Sequence, residues 1–253
     1  SFASLVMTRL LVRSLRFGCL AIALAAVSLS SKPVFGDRLL AADPIKPMLP
    51  ANLREVSVWT RALGKAQPPS PWRVAPCDRS SKAPMLCVYD RKALVGTVEL
   101  GTYLISSRPD LRQKLTAAGI PAKANYAAPK YRKQVAIALR DWVNDYYAFF
   151  KDDRKTEYGD SITFASQPPV QVSLGKLTGL RYGFSGIKQD KGIHEQRVGY
   201  VAFDGATLYI ITTAFDAASE TGKFKTLEAF QRFEPHLAKL VARLQLPIAK
   251  PSR

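Results

Sequence analysis

The fold is decided by residues 197–246, which read RVGYVAFDGATLYIITTAF over 197–215 and TLEAFQRFEPHLAKLVARLQL over 226–246. Asp204-Gly205 separates two runs of β-branched and aromatic residues, and Gly or Asp supplies the positive φ that a tight hairpin turn demands. The second run carries apolar side chains on both faces, with Leu208, Ile210 and Ala214 on one and Tyr209, Ile211 and Phe215 on the other. A strand so covered belongs in the middle of a sheet. Leu227, Phe230, Phe233, Leu237, Leu240, Val241 and Leu244 then recur in helical register, where Pro235 predicts a kink or a break into two helices.

Upstream of the hairpin, strand candidates run over Ile162–Ser166, Val170–Leu174 and Leu177–Phe184, punctuated by Pro168-Pro169, Gly175, Gly179, Gly183 and Gly186. Between the last of them and the hairpin, IKQDKGIHEQ (187–196) is polar enough to predict a projecting loop. A long helix fits Ala128–Lys151, with Val135, Leu139, Trp142, Tyr146 and Phe149 as its apolar stripe. A short helix fits Pro109–Ala118, with proline in its first turn and Gly119 ending it. From Ala93 to Ile105 the chain alternates, setting Leu94, Val98, Leu100 and Leu104 against Thr97, Glu99 and Tyr103. That pattern predicts a strand with one covered face. Strands in a meander with helices before and after them predict the α+β class, an antiparallel β-sheet covered by helices.

On these residues a family resemblance can be stated. VGYVAFDGATLYIITTAF (198–215) followed by FQRFEPHLAKLVARLQLP (230–247) resembles the end of the PsbP and Mog1 type of α-β-α sandwich, in which a closing hairpin leads into a terminal helix. The likeness extends more loosely through PVQVSLGKLTGLRYGFSG, covering residues 160–246, and the chain is also similar to exported cyanobacterial proteins with LCVYDRKALVGTVELGTY ahead of such a sandwich. The resemblance implies protein binding without known catalysis and, for the photosystem II extrinsic subunits, a thylakoid lumen setting. The proline-rich lead and the Cys77/Cys87 pair depart from that pattern, and no family functional residue transfers to this chain.

The N-terminus bears on location. Arg9, Arg13 and Arg16 precede an apolar run from Phe17 to about Ser30, the form of a secretory signal peptide. At about 14 residues this run is shorter than the ~18 a spanning helix needs. Cleavage is expected after Gly36, with a site near Ser30 as the alternative, and delivers the chain to the periplasm or thylakoid lumen. The resulting division is 1–36 signal peptide, 37–71 proline-rich lead, 72–246 a single α+β domain and 247–253 a tail. The lead contains NLREVSVWTRAL (52–63), a candidate short element. The whole chain has 37 Lys and Arg against 20 Asp and Glu; four of the basic residues and none of the acidic ones lie in 1–36, leaving +13. In an oxidising compartment Cys77 and Cys87, ten positions apart, are the natural disulfide pair, with two free buried thiols as the alternative.

Chemical motifs are sparse. Neither His194 nor His236 has a metal-ligand neighbour at the usual spacing, so no metal is expected. No dinucleotide fingerprint, phosphate loop or zinc-protease motif occurs, and no cofactor is expected. Asp152, Asp153, Glu157 and Asp160 are split by Arg154 and Lys155, which reads as a solvated loop after the helix. Lys130, Arg132, Lys133 and Arg140 crowd the first half of the long helix among Tyr126 and Tyr131. Basic and aromatic interleaving suits nucleic acid, but export argues against that partner. The reading that follows is a non-catalytic exported binding or assembly protein docking on an anionic protein complex or membrane surface. Its candidate docking residues are Lys130, Arg132, Lys133 and Arg140, with Lys188, Lys191 and Arg197 around the polar loop. The competing readings are a hydrolase of an envelope polymer or lipid using Ser185 or His194, and a carrier of a lipid or small ligand.

Overall fold

A computed structural model describes residues 58–77, 84–219 and 222–248; the expected signal peptide lies outside them. Among the described residues, eight strands form one sheet: β1 (Trp72–Pro76), β2 (Met85–Asp90), β3 (Ala93–Leu104), β4 (Ile162–Leu174), β5 (Leu177–Lys188), β6 (Ile193–Phe203), β7 (Thr207–Phe215) and the two-residue β8 (Lys223–Phe224). Their order is β1-β2-β3-β8-β7-β6-β5-β4, with β3 also paired directly to β7. All pairings are antiparallel except β7 with β8. The α-helices among the described residues are α1 (Val58–Leu63), α2 (Pro109–Ala117), α3 (Arg132–Tyr158) and α4 (Leu227–Ala242). The class is α+β, as the meander of strands with helices before and after it predicts.

The hairpin of the deciding stretch closes where expected. Asp204 Oδ1 accepts from the N–H groups of Ala206 and Thr207 at 2.8 and 2.7 Å, and Gly205 takes φ +98°. β7 lies mid-sheet, with β6 on one edge and β3 on the other. Its Tyr209, Ile211 and Phe215 face a core shared with Trp59 of α1 and with Phe230, Phe233, Leu237 and Leu240 of α4. The opposite face of the sheet is covered by α3. There Tyr182 and Phe184 of β5 meet Trp142, Tyr146 and Phe150 in ring contacts with centroids 5.0–6.4 Å apart. The result is helix, sheet, helix in three layers.

Several features refine or correct the sequence reading. The short element of the lead is α1, whose Trp59 and Ala62 are fully buried in the main core. The segment 187–196 is not a projecting loop: β5 continues to Lys188, β6 begins at Ile193, and only a tight turn joins them, with Lys191 at φ +66°. Its polarity misleads because Glu195 is a buried strand residue with an ionic partner elsewhere in the chain. The helix α3 continues past Lys151 to Tyr158, so Asp152, Asp153 and Glu157 lie on its last turns. Finally, α4 passes through Pro235 as one helix, started by Thr226, whose side chain accepts from the Ala229 N–H. The two strand candidates either side of Pro168-Pro169 are one strand, β4, with a bulge between Gln167 and Val170. On β3, Val98 and Leu100 are buried as expected, while Leu94 and Leu104 are exposed.

Cys77 and Cys87 form a disulfide across the β1–β2 connection, with Cα atoms 5.1 Å apart. The connecting turn of β4 and β5 is anchored on the far side of the sheet. Gly175 N–H donates to Val241 O at 3.0 Å, and Lys176 N–H donates to Leu246 O at 3.1 Å. Only glycine fits here: φ is +57°, and a Cβ would stand 2.2 Å from Leu244 O.

Candidate binding cleft

The approach to α3 is built by local hydrogen bonds. Asn125 Oδ1 accepts from Ala127 N–H at 3.1 Å, Tyr126 O–H donates to Ala122 O at 2.8 Å, and Pro129 opens a 3₁₀ turn that leads into Arg132. The Tyr126 ring packs on Phe203, the last residue of β6, at 6.0 Å between centroids. A cleft of about 600 Å³ lies between this segment, the first turns of α3 and the ends of β4, β5 and β6. That is within the ~300–1,000 Å³ range of small-ligand sites.

Val135, Ala136 and Leu139 of α3, with Leu177 and Leu180 of β5 and Phe203, give the cleft its apolar lining. Gln171 and Thr178 add neutral polar groups. Arg132, Lys133 and Lys176 supply positive charge from two sides, the helix and the β4–β5 turn, and all three are exposed. The acid in the lining, Asp204, is already engaged by the hairpin N–H groups and by Tyr209 O–H, which donates to its Oδ2 at 3.0 Å. A helix N-terminus carries the positive end of the macrodipole and favours acidic residues. Here the first turn of α3 has no acidic residue and no side-chain cap, and bases occupy it instead. The geometry therefore combines a concentrated positive field with an apolar floor.

The predicted docking residues fall into separate groups. Lys130, Arg132 and Lys133 sit together at the start of α3, with Lys130 Nζ 4.9 Å from the centre of the Tyr131 ring. Arg140 lies two turns further along and donates from Nη1 to Pro169 O at 3.3 Å, at the β4 edge. Lys188 and Lys191 are exposed at the other end of β5, and twelve strand residues place the two ends roughly 36 Å apart. Arg197 is not with them at the surface: its side chain is 18% exposed and its Nη2 donates to Asp216 Oδ2 at 2.8 Å. Lys176 escaped the sequence reading because it occupies a turn flanked by Gly175; the two-residue spacing between β4 and β5 was the signal that it projects at the sheet end.

Arg197 belongs to a second polar group, enclosed under the C-terminal half of α3. Arg154 donates from Nε to Glu195 Oε1 and from Nη2 to Glu195 Oε2, the latter at 2.7 Å. It also pairs with Asp153 and lies 3.8 Å from Asp216. Burial opposes the charge on Arg154, but the Glu195 hydrogen bonds and the Glu195, Asp153 and Asp216 carboxylates outweigh it and raise its pKa. Both arginines lie over the Phe150 ring, at 5.3 and 5.1 Å. This group welds α3 to β6 and to the end of β7.

The hydrolase candidates are elsewhere. Ser185 is a β5 residue paired with Ala165 and Gln196, the His194 ring packs on Tyr158 at 4.9 Å, and neither lines the cleft. Among the described residues, no group of three or more His, Cys, Asp or Glu is arranged to hold a metal ion, and no helix is long and apolar enough to cross a membrane.

No protein-family model matches the chain, and none of the curated proteins does. Among solved structures, the chain is similar to the solution structure of cyanobacterial PsbP (CyanoP) from Synechocystis sp. PCC 6803, with a TM-score of 0.34 and 8% sequence identity over 69% of this chain and 80% of that one.

Proposed function

We propose that the protein is an exported, non-catalytic binding protein that docks on an anionic protein complex or membrane surface through the basic end of α3. The observation that carries this reading is the placement of Lys130, Arg132 and Lys133 at a helix N-terminus without an acidic residue, where Arg132 and Lys133 line the same cleft as Lys176. Positive side chains there oppose the helix dipole, at a cost of about 0.3–1 kcal/mol each. An anionic partner converts that cost into binding energy. The surplus of basic residues over the whole chain adds long-range attraction to such a partner.

The test is recovery of partners from native membrane extracts by residues 37–253, at near-physiological and at high salt. Binding lost at high salt and abolished by Lys130→Glu/Arg132→Glu/Lys133→Glu supports the reading. Binding that is insensitive both to salt and to these reversals refutes it. Reversal of Lys188 and Lys191, at the opposite end of β5, serves as the matched control.

A further inference from the structure

We infer that the cleft is a binding site for an amphipathic anion, a single phosphate or carboxylate head on an apolar body, rather than only part of a charged surface. The inference shares its cations with the docking reading and adds a claim which that reading lacks: the apolar body of the ligand enters between α3 and β5. A purely electrostatic docking face needs no concavity, yet here the cations line a half-open cleft of about 600 Å³. Its floor is Leu139, Leu180 and Phe203, apolar side chains suited to a hydrocarbon or aromatic body. Arg132 from α3 and Lys176 from the β4–β5 turn both line the cleft and supply positive charge for an anionic head. The carboxylate of Asp204 does not compete for these cations, because its oxygens accept from Ala206, Thr207 and Tyr209. The walls are pre-formed: one is the first turns of a 27-residue helix, the other a hairpin turn tied by two backbone hydrogen bonds to the C-terminal segment.

The test uses the full chain as recovered from the expressing cell and monomeric decyl phosphate as the probe, measured by titration calorimetry. Inorganic phosphate and decanol, each carrying one half of the chemistry, are the controls. Decyl phosphate is expected to bind one to one, at least about tenfold more tightly than either control. Lys176→Glu should weaken it by about tenfold or more. Ala136→Trp and Thr178→Trp fill the cleft without changing charge and should weaken it as much, with thermal midpoints confirming that both variants fold. Decyl phosphate binding no tighter than inorganic phosphate, or binding unchanged in both cleft-filled variants, overturns the inference. Vesicles containing phosphatidylglycerol identify the source of the head. Loss of vesicle binding in the cleft-filled variants assigns it to a bilayer lipid, and retention with loss of decyl phosphate assigns it to a free amphiphile. If the wild-type chain binds decyl phosphate but recovers no partner and no vesicle, the docking reading fails and this site stands.

Discussion

Removing one carboxylate from the enclosed ionic group tests how the layers are joined. Glu195 is 2% exposed and holds Arg154 by two hydrogen bonds, and the Arg154 side chain is itself 8% exposed. Glu195→Ala deletes both bonds, each about 1.5–3 kcal/mol when charge-assisted. What remains for Arg154 is Asp153, Glu157 at 3.9 Å, and an Asp216 that Arg197 already engages at 2.8 Å. That residual pairing reduces the loss to about 3–5 kcal/mol, the range for breaking a buried pair from one side. Urea unfolding followed by tryptophan fluorescence reads it, since Trp142 lies in the aromatic layer beside Tyr146 and Tyr182. With an m-value near the top of the ~1–3 kcal/mol/M range, the midpoint falls by about 1–2 M. Arg154→Met/Glu195→Leu removes both desolvated charges together and should be more stable than either single variant. A Glu195→Ala midpoint within about 0.3 M of wild type, or a double variant that loses the sum of the singles, refutes the reasoning.

Reducing the Cys77–Cys87 disulfide, or Cys87→Ser, should lower stability by about 2–3 kcal/mol, the entropy of closing so short a loop, read as a downward shift in urea midpoint under reducing conditions. Gly175→Ala should cost at least about 2 kcal/mol and lower the thermal midpoint by at least about 4 °C, because its Cβ meets Leu244 O at a positive φ. Tyr158, Tyr200 and Tyr209 are pushed up to about 12, in each case first by burial, with Glu157 adding at Tyr158 and Asp204 at Tyr209. Since their folded pKa lies above the unfolded value, their contribution is complete below about pH 10 and is lost as pH rises toward 12. Absorbance of phenolate should therefore appear together with loss of near-ultraviolet circular dichroism. Separate ionisation of all three near pH 10 in the folded protein would contradict the burial.

The parts of the fold that the sequence makes legible depend on neighbours close in the chain. Asp204-Gly205 marks its own turn, and Leu139, Trp142 and Tyr146 announce the buried side of α3 by their spacing. Misreadings arise where the partner is distant. Arg154 looks like the start of a solvated loop and Glu195 like part of another, yet the two meet in the interior across 41 positions. They meet where α3 runs helical to Tyr158 and where 193–196 belongs to strand β6. Pro168-Pro169 breaks the alternation of β4 without ending it, because the strand lies at the sheet edge and bulges there. The cleft was half legible: the crowding of Lys130, Arg132 and Lys133 is local, whereas Lys176 and Phe203 join them only through the antiparallel register of β4, β5 and β6.

The attachment of the β4–β5 turn to the far side of the sheet gives the end of the chain a mechanical part in the cleft. Lys176 stands on the α3 side, but its backbone is held by Leu246, and Gly175 by Val241, from the helix on the opposite layer. Ile248 N–H adds a bond to Tyr209 O–H at 3.3 Å, the same hydroxyl that steadies Asp204 in the cleft wall. The segment after α4, up to Ile248, thus works as a tie rod through the end of the sandwich, joining one wall of the cleft to the layer on the other face.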